Sequence, residues 1–178
     1  MRQSAIMALL AAGSLLMGTG CFTAAPEGDS GNGGASASAK CLTAEDAEKM
    51  ADQVLQLVNL ERGEAGLPPV VVEDTLEQLA DDYACRMIEG GFFGHRDPVQ
   101  NHGPGERAVA AKYSFFAVGE NLAAGQDTPA EVMRVWMESP SHRAIILDRQ
   151  WSEIGIAVRV GGTHGIYWVQ EFGDPARF

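Results

Sequence analysis

Ile154-Gly155-Ile156-Ala157-Val158-Arg159-Val160 and Ile166-Tyr167-Trp168-Val169-Gln170-Glu171-Phe172 flank the turn Gly161-Gly162-Thr163-His164-Gly165. Two apolar or alternating runs of strand length about a glycine-rich turn predict an antiparallel β-hairpin. Upstream, Ser139-Pro140 opens a short helical turn through Ile146, with Ser139 as its cap. Thr128-Pro129-Ala130-Glu131 supplies a Thr cap, Pro at the first helical position and an acidic residue three after the cap. Met133, Trp136 and Met137 of that helix are expected to face inward, and Trp136 and Trp168 to lie in the core. Ala117–Leu122 reads as a strand or extended segment. Residues 92–114, with Gly94, Pro98, Gly103, Pro104 and Gly105, read as irregular chain. Two longer helices come first. One starts at Thr43-Ala44-Glu45-Asp46, buries Met50, Val54, Leu57 and Val58, and stops at Gly66-Leu67-Pro68-Pro69. The other starts at Asp74-Thr75-Leu76-Glu77, buries Leu76, Leu79, Ala80, Tyr83 and Met87, and stops at Gly90-Gly91. Helices packed on a small antiparallel sheet make an α+β domain, here over residues 41–178.

The 178 residues include 13 Lys and Arg against 24 Asp and Glu, a formal charge of −11. That length suits one domain plus some extra chain. The acidic balance excludes a nucleic-acid binder, which carries a basic footprint, and polybasic adsorption to a membrane. The extra chain is N-terminal. Arg2, the apolar run Ala5–Met17 and Gly18-Thr19-Gly20-Cys21 have the form of an export signal, and the run is too short for a comfortable membrane span. Its end resembles a bacterial lipobox, with Cys21 as the lipidated first residue and Gly18 where Leu or Val is usual. Residues 1–20 are therefore expected to be a lipoprotein signal peptide. Residues 21–40, where FTAAPEGDSGNGGASASAK follows Cys21, are expected to be a flexible linker. This predicts an extracytoplasmic protein anchored by lipid to a bacterial membrane, and Phe22 after Cys21 favours the outer membrane or cell surface. With Cys21 lipidated, Cys41 and Cys85 form an even pair outside the cytoplasm, which predicts a disulfide, two buried free thiols being the alternative.

Four histidines carry the candidate chemistry: His95 in Phe92-Phe93-Gly94-His95-Arg96-Asp97, His102 in a glycine-rich loop, His142 in Ser139-Pro140-Ser141-His142-Arg143, and His164 at the hairpin tip. Between them lies Gly119-Glu120-Asn121-Leu122, and after them Glu153-Ile154-Gly155. Arg96-Asp97 reads as a local ion pair of little energy, and Glu61-Arg62-Gly63-Glu64 as a solvated helix face. Taken in order, Val58-Asn59 with Arg62, Leu76 through Ala84, Gly94-His95, Gly119-Glu120-Asn121-Leu122, Trp136-Met137, Ser139 through Arg143, Glu153-Ile154-Gly155 and Tyr167-Trp168-Val169-Gln170 resemble the CAP superfamily. This is the SCP domain of cysteine-rich secretory proteins, antigen 5 and plant pathogenesis-related proteins, and the likeness is to its short bacterial members.

That resemblance implies a three-layer α-β-α sandwich with a cleft, across which His95, Glu120 and His142 face one another as a possible site for zinc or another divalent metal. It implies a fourth cleft residue, for which Glu153 is favoured over Glu138. Two imidazoles and a carboxylate suit Zn²⁺ with one position open. His102 is a possible substitute ligand. The chain lacks the His-Glu-x-x-His of zinc proteases and the Gly-x-Ser-x-Gly elbow of serine hydrolases. A non-enzymatic binding module is thus favoured, its partner a peptide, a lipid or an envelope component. The alternatives are a metal-assisted hydrolase of peptidase type, and a lipid or sterol carrier whose groove Phe92, Phe93, Phe115 and Phe116 would line.

Overall fold

The computed structural model describes residues 39–176. The expected signal peptide, Cys21 and nearly all of the linker lie outside those residues. The hairpin is the centre of the sheet: β4 (Glu153–Gly161) and β5 (Gly165–Pro175) pair antiparallel. β3 (Phe115–Ala124) adds antiparallel to the far side of β5 and forms the edge. On the other side of β4, β1 (Leu42–Thr43) pairs antiparallel at Val160 and Arg159, and β2 (Val71–Val72) pairs parallel at Glu153 and Ile154.

Alternation along the three long strands sends side chains to two helical layers. Leu122, Ala157, Tyr167 and Val169 face α2 (Asp74–Gly90) and pack on Ala80, Tyr83, Ala84, Met87 and Ile88. The seven-residue helix α3 (Pro104–Ala110) lies on the same side, with Ala108 against Leu76 and Leu79. Ala123, Ile154, Ile156, Val158, Trp168 and Phe172 face the other way. They pack on Val54 and Val58 of α1 (Ala47–Glu64), Val132, Met133 and Trp136 of α4 (Pro129–Glu138), and Ile146 of α5 (Pro140–Ile146). The result is the α-β-α sandwich. Burial of each large side chain contributes roughly 1.5–3 kcal/mol. Gly155 sets the spacing on the α2 side, since a Cβ there would collide with the backbone of Leu76 and Glu77.

Cys41 and Cys85 form a disulfide that ties the segment entering β1 to α2 across 44 residues of sequence. In the chain-entropy account a loop of that length stabilises by about 4 kcal/mol.

Local readings fail in four places. The first helix starts at Ala47, because Thr43 is used in β1 opposite Arg159. The segment read as irregular holds α3, for which Pro104 sits in the first turn and Glu106 accepts from the Gly103 amide at 2.8 Å. Arg62 is wholly buried instead of solvated. Its guanidinium donates to the carbonyls of Pro68 (2.9 Å), Ile146 (2.8 Å), Asp148 (2.9 Å) and Trp151 (3.1 Å). Finally, Asp97 pairs with Arg86, not with Arg96, which reaches Glu106 at 3.9 Å.

Candidate functional site

The site is built around the β3 edge, reached from both helical layers. On the α2 side, Gly91 closes the helix in the left-handed region (φ 64°), where glycine bears no Cβ penalty, and turns the chain into the His95 loop. The loop is held from several directions. Tyr83 Oη donates to the Gly94 carbonyl. Arg107 Nη1 donates to the carbonyls of His95 at 3.0 Å and His102 at 3.2 Å. Asp97 accepts from the amides of Val99 (2.7 Å) and Gln100 (2.8 Å). These amides and the Arg86 partner hold the Asp97 carboxyl at about 2.

Within this frame His95 Nδ1 lies 2.7 Å from Oε1 of Glu120 on β3. The second Glu120 oxygen accepts from Arg107 Nη2, which also donates to Glu171 on β5 at 3.3 Å. Glu120 and Glu171 are directly opposite in the strand register. The Arg107 guanidinium carbon sits 3.3 Å from the centroid of the Tyr83 ring, a cation–π contact. Both carboxylates are essentially inaccessible, with side chains 1% exposed, whereas the His95 side chain is 56% exposed. The imidazole therefore faces outward with a buried carboxylate behind it.

One guanidinium cannot neutralise two buried carboxylates. Burial raises Glu120 to about 7 against the opposing charge of Arg107. Burial, and then the neighbouring Glu120 charge, raises Glu171 well above the ordinary range. The pair thus retains a proton on Glu171, which hydrogen-bonds Glu120. Glu120 and His95 Nδ1 share one proton across their 2.7 Å contact, which turns Nε2 of the ring outward. His95 is itself lowered by burial and by the Arg107 charge, which keeps it neutral.

From the other layer comes His142 in the first turn of α5. Its carbonyl accepts from Asn121 Nδ2 at 3.2 Å. Its ring is lowered by burial and by repulsion from His95, so the two imidazoles share one electrostatic neighbourhood around β3.

The model of the cysteine-rich secretory protein family, CAP, matches residues 55–172. The chain is a CAP family member. A Bacillus subtilis relative, the uncharacterized protein YkwD, is 33% identical over 120 residues, which is 67% of this chain and 45% of that protein. The CAP domain here thus spans under half of that relative's length. Among solved structures, an outer surface protein of Borrelia burgdorferi superposes with a TM-score of 0.69 at 24% identity, covering 76% of this chain and 98% of the other. An extracellular SCP-domain protein of Bacillus anthracis superposes at 0.64 and 24% identity, covering 71% and 41%. At those identities the likeness establishes the fold.

Within this CAP domain the structure brings His95 and Glu120 into contact and places His142 nearby. Glu153 accepts from Tyr113 Oη at 2.7 Å. Glu138 is exposed and paired with Arg134 at 2.8 Å. The carboxylate that joins Glu120 is instead Glu171, and the cation joining them is Arg107. Sequence reasoning passed over both. The available signal was a Glu inside the apolar run of β5, because a carboxylate in a central strand requires a buried partner. His102 contributes its carbonyl to the loop, and His164 packs edge-on to Phe93 and Tyr167 at the hairpin tip. The four phenylalanines have separate neighbours: Phe92 lies against Tyr83, Phe93 against Tyr167, Phe115 on Tyr113, and Phe116 is exposed.

The donor set tests the fit of a metal. Among the described residues no group of three or more His, Cys, Asp or Glu side chains is placed to hold one. Both oxygens of Glu120 are engaged, one by His95 and one by the Arg107 cation. With Glu120 so engaged, the nitrogen donors that the site offers a divalent metal are the two imidazoles. What these residues offer is two neutral imidazoles, with Glu120 orienting the first.

Proposed function

We propose that this CAP domain is an extracytoplasmic, envelope-anchored binding module, not an enzyme, and that its ligand is gripped by the neutral imidazoles of His95 and His142 on either side of the β3 edge. One observation carries the reading: a fully buried Glu120 lies 2.7 Å from the Nδ1 of a largely exposed His95. That arrangement fixes an imidazole's orientation and directs its second nitrogen outward. Among the described residues no serine or cysteine is hydrogen-bonded to either ring, and Cys41 and Cys85 are joined to each other. The extracellular and outer-surface descriptions of the Bacillus anthracis and Borrelia burgdorferi proteins support the location. Retention by lipid at Cys21 belongs to the same proposal.

A divalent metal is the simplest ligand for this arrangement, held by the two rings with Glu120 behind His95. The test is a zinc titration by calorimetry on the full chain. Saturable one-to-one binding is expected, abolished in His95→Ala/His142→Ala and weakened about 10–100-fold in Glu120→Gln, the usual cost of losing an orienting partner. Equal heats for wild type and the double variant would remove the imidazole pair as the binding element.

A further inference from the structure

Asn121 and Gln170 are neighbours of the two carboxylates in sequence but project from the opposite face of the sheet. They face each other across β3 and β5, and both are completely buried. Asn121 Nδ2 donates to Gln170 Oε1 at 3.2 Å and to the His142 carbonyl at 3.2 Å. That carbonyl can only accept, so the Asn121 atom facing it is the NH₂, and the Gln170 atom facing that NH₂ is the oxygen. The other ends, Asn121 Oδ1 and Gln170 Nε2, are buried without a partner among the described residues, and so is His142 Nδ1. Five buried side-chain atoms are in that condition, and three of them belong to this one connected group. Each unmatched group costs about 1–3 kcal/mol. Chance accumulation of three in one hydrogen-bonded group is expensive, and unmatched buried polar groups are where proteins hold ordered water with two to four partners.

We propose that Asn121 and Gln170 are positioning residues for His142: together they hold one internal water that donates to His142 Nδ1 and fixes the Nε2–H tautomer. Donor and acceptor accounting selects this direction. Gln170 Nε2 donates to the water, and the water donates one proton to Asn121 Oδ1 and the other to His142 Nδ1. All three side-chain atoms and both water protons are then matched. With the proton on Nδ1 instead, the water would accept twice and keep one proton buried without an acceptor, the costlier error. His142 therefore presents an N–H to the cleft, opposite the outward Nε2 of His95. This deepens, and rests on, the reading of the cleft as a binding site. It names the group that meets His142 in the metal-free cleft as a hydrogen-bond acceptor, such as a carbonyl or hydroxyl. Zinc at His142 would first have to turn the tautomer.

The test is ¹⁵N-histidine NMR on the full chain, metal-free at pH 8, with His142 assigned by its loss in His142→Gln. Nδ1 of His142 is expected as the imine-type nitrogen and Nε2 as the proton-bearing one, with the Gln170→Met variant losing that fixed preference and averaging the two. A proton on Nδ1 in the wild type, which needs no variant to fold, would overturn the proposal. So would an unchanged tautomer in folded Gln170→Met. Because the readout uses no ligand, it stands or falls separately from the zinc titration.

Discussion

The two faces of the sheet at one cross-strand step solve the same task with different chemistry. Glu120 and Glu171 point to one face and Asn121 and Gln170 to the other, each pair facing its partner across β3 and β5. On the charged face, Arg107, stacked on Tyr83, compensates the carboxylates, and His95 is oriented by Glu120. On the amide face the facing pair is uncharged, and three polar atoms around His142 remain unmatched among the described residues. Charge demands compensation from within the protein, whereas an amide pair tolerates an external partner. One two-residue step of backbone thus yields one self-contained orienting group and one that is open.

The comparison is broken most severely by Arg107→Met. It strands two buried carboxylates and is expected to cost about 3–5 kcal/mol in urea unfolding. Loss of under 1 kcal/mol would mean that the charged face is as tolerant as the amide face. Next in size is Glu171→Gln, read against pH. The folded-state value of Glu171 is raised above its ordinary 4.5. Between those two values the native state keeps a proton that the unfolded chain has lost, so stability falls as pH rises through this window. Wild type is expected to lose up to about 1.4 kcal/mol per pH unit relative to Glu171→Gln above pH 4.5. Parallel stability curves for the two proteins would show that no proton is held at Glu171. The smallest effect belongs to Gln170→Met, which removes one direct hydrogen bond and the donor that faces the internal water. Its stability should stay within about 1 kcal/mol of wild type. A loss comparable to Arg107→Met would erase the distinction between the faces.

The layers of this fold were legible where apolar periodicity and terminal chemistry agreed. The α2 stripe from Leu76 to Met87 is buried throughout, Thr128 accepts from the Glu131 amide at 3.2 Å, and the hairpin turns where its glycines stand. What stayed hidden depended on partners distant in sequence. Glu171 is 51 residues from Glu120 by position and meets it only through strand pairing. Arg107 sits on a helix that Gly103-Pro104-Gly105 disguised as loop. Arg62 lies in a polar run whose neighbours are solvated, and nothing local marks it as the buried member. The His95–Glu120 contact was approachable in advance only through the order of several weak motifs. Glu153 was favoured over Glu138 from motif order alone, which could show neither the Tyr113 hydroxyl that Glu153 accepts from nor the pairing of Glu171 with Glu120.

Arg62 has a consequence for the order in which the chain is made. Three of its four acceptors, the carbonyls of Ile146, Asp148 and Trp151, follow it by 84 to 89 residues. During synthesis from the N-terminus, α1 emerges long before the loop that receives its arginine. Until that loop exists, packing α1 would bury a guanidinium without acceptors, at several kcal/mol. The strands that cover α1 are also the last to appear. The early half of the domain is therefore held open until the final third is available, and the chain closes in one late step instead of growing its core progressively. That ordering is written into a single side chain.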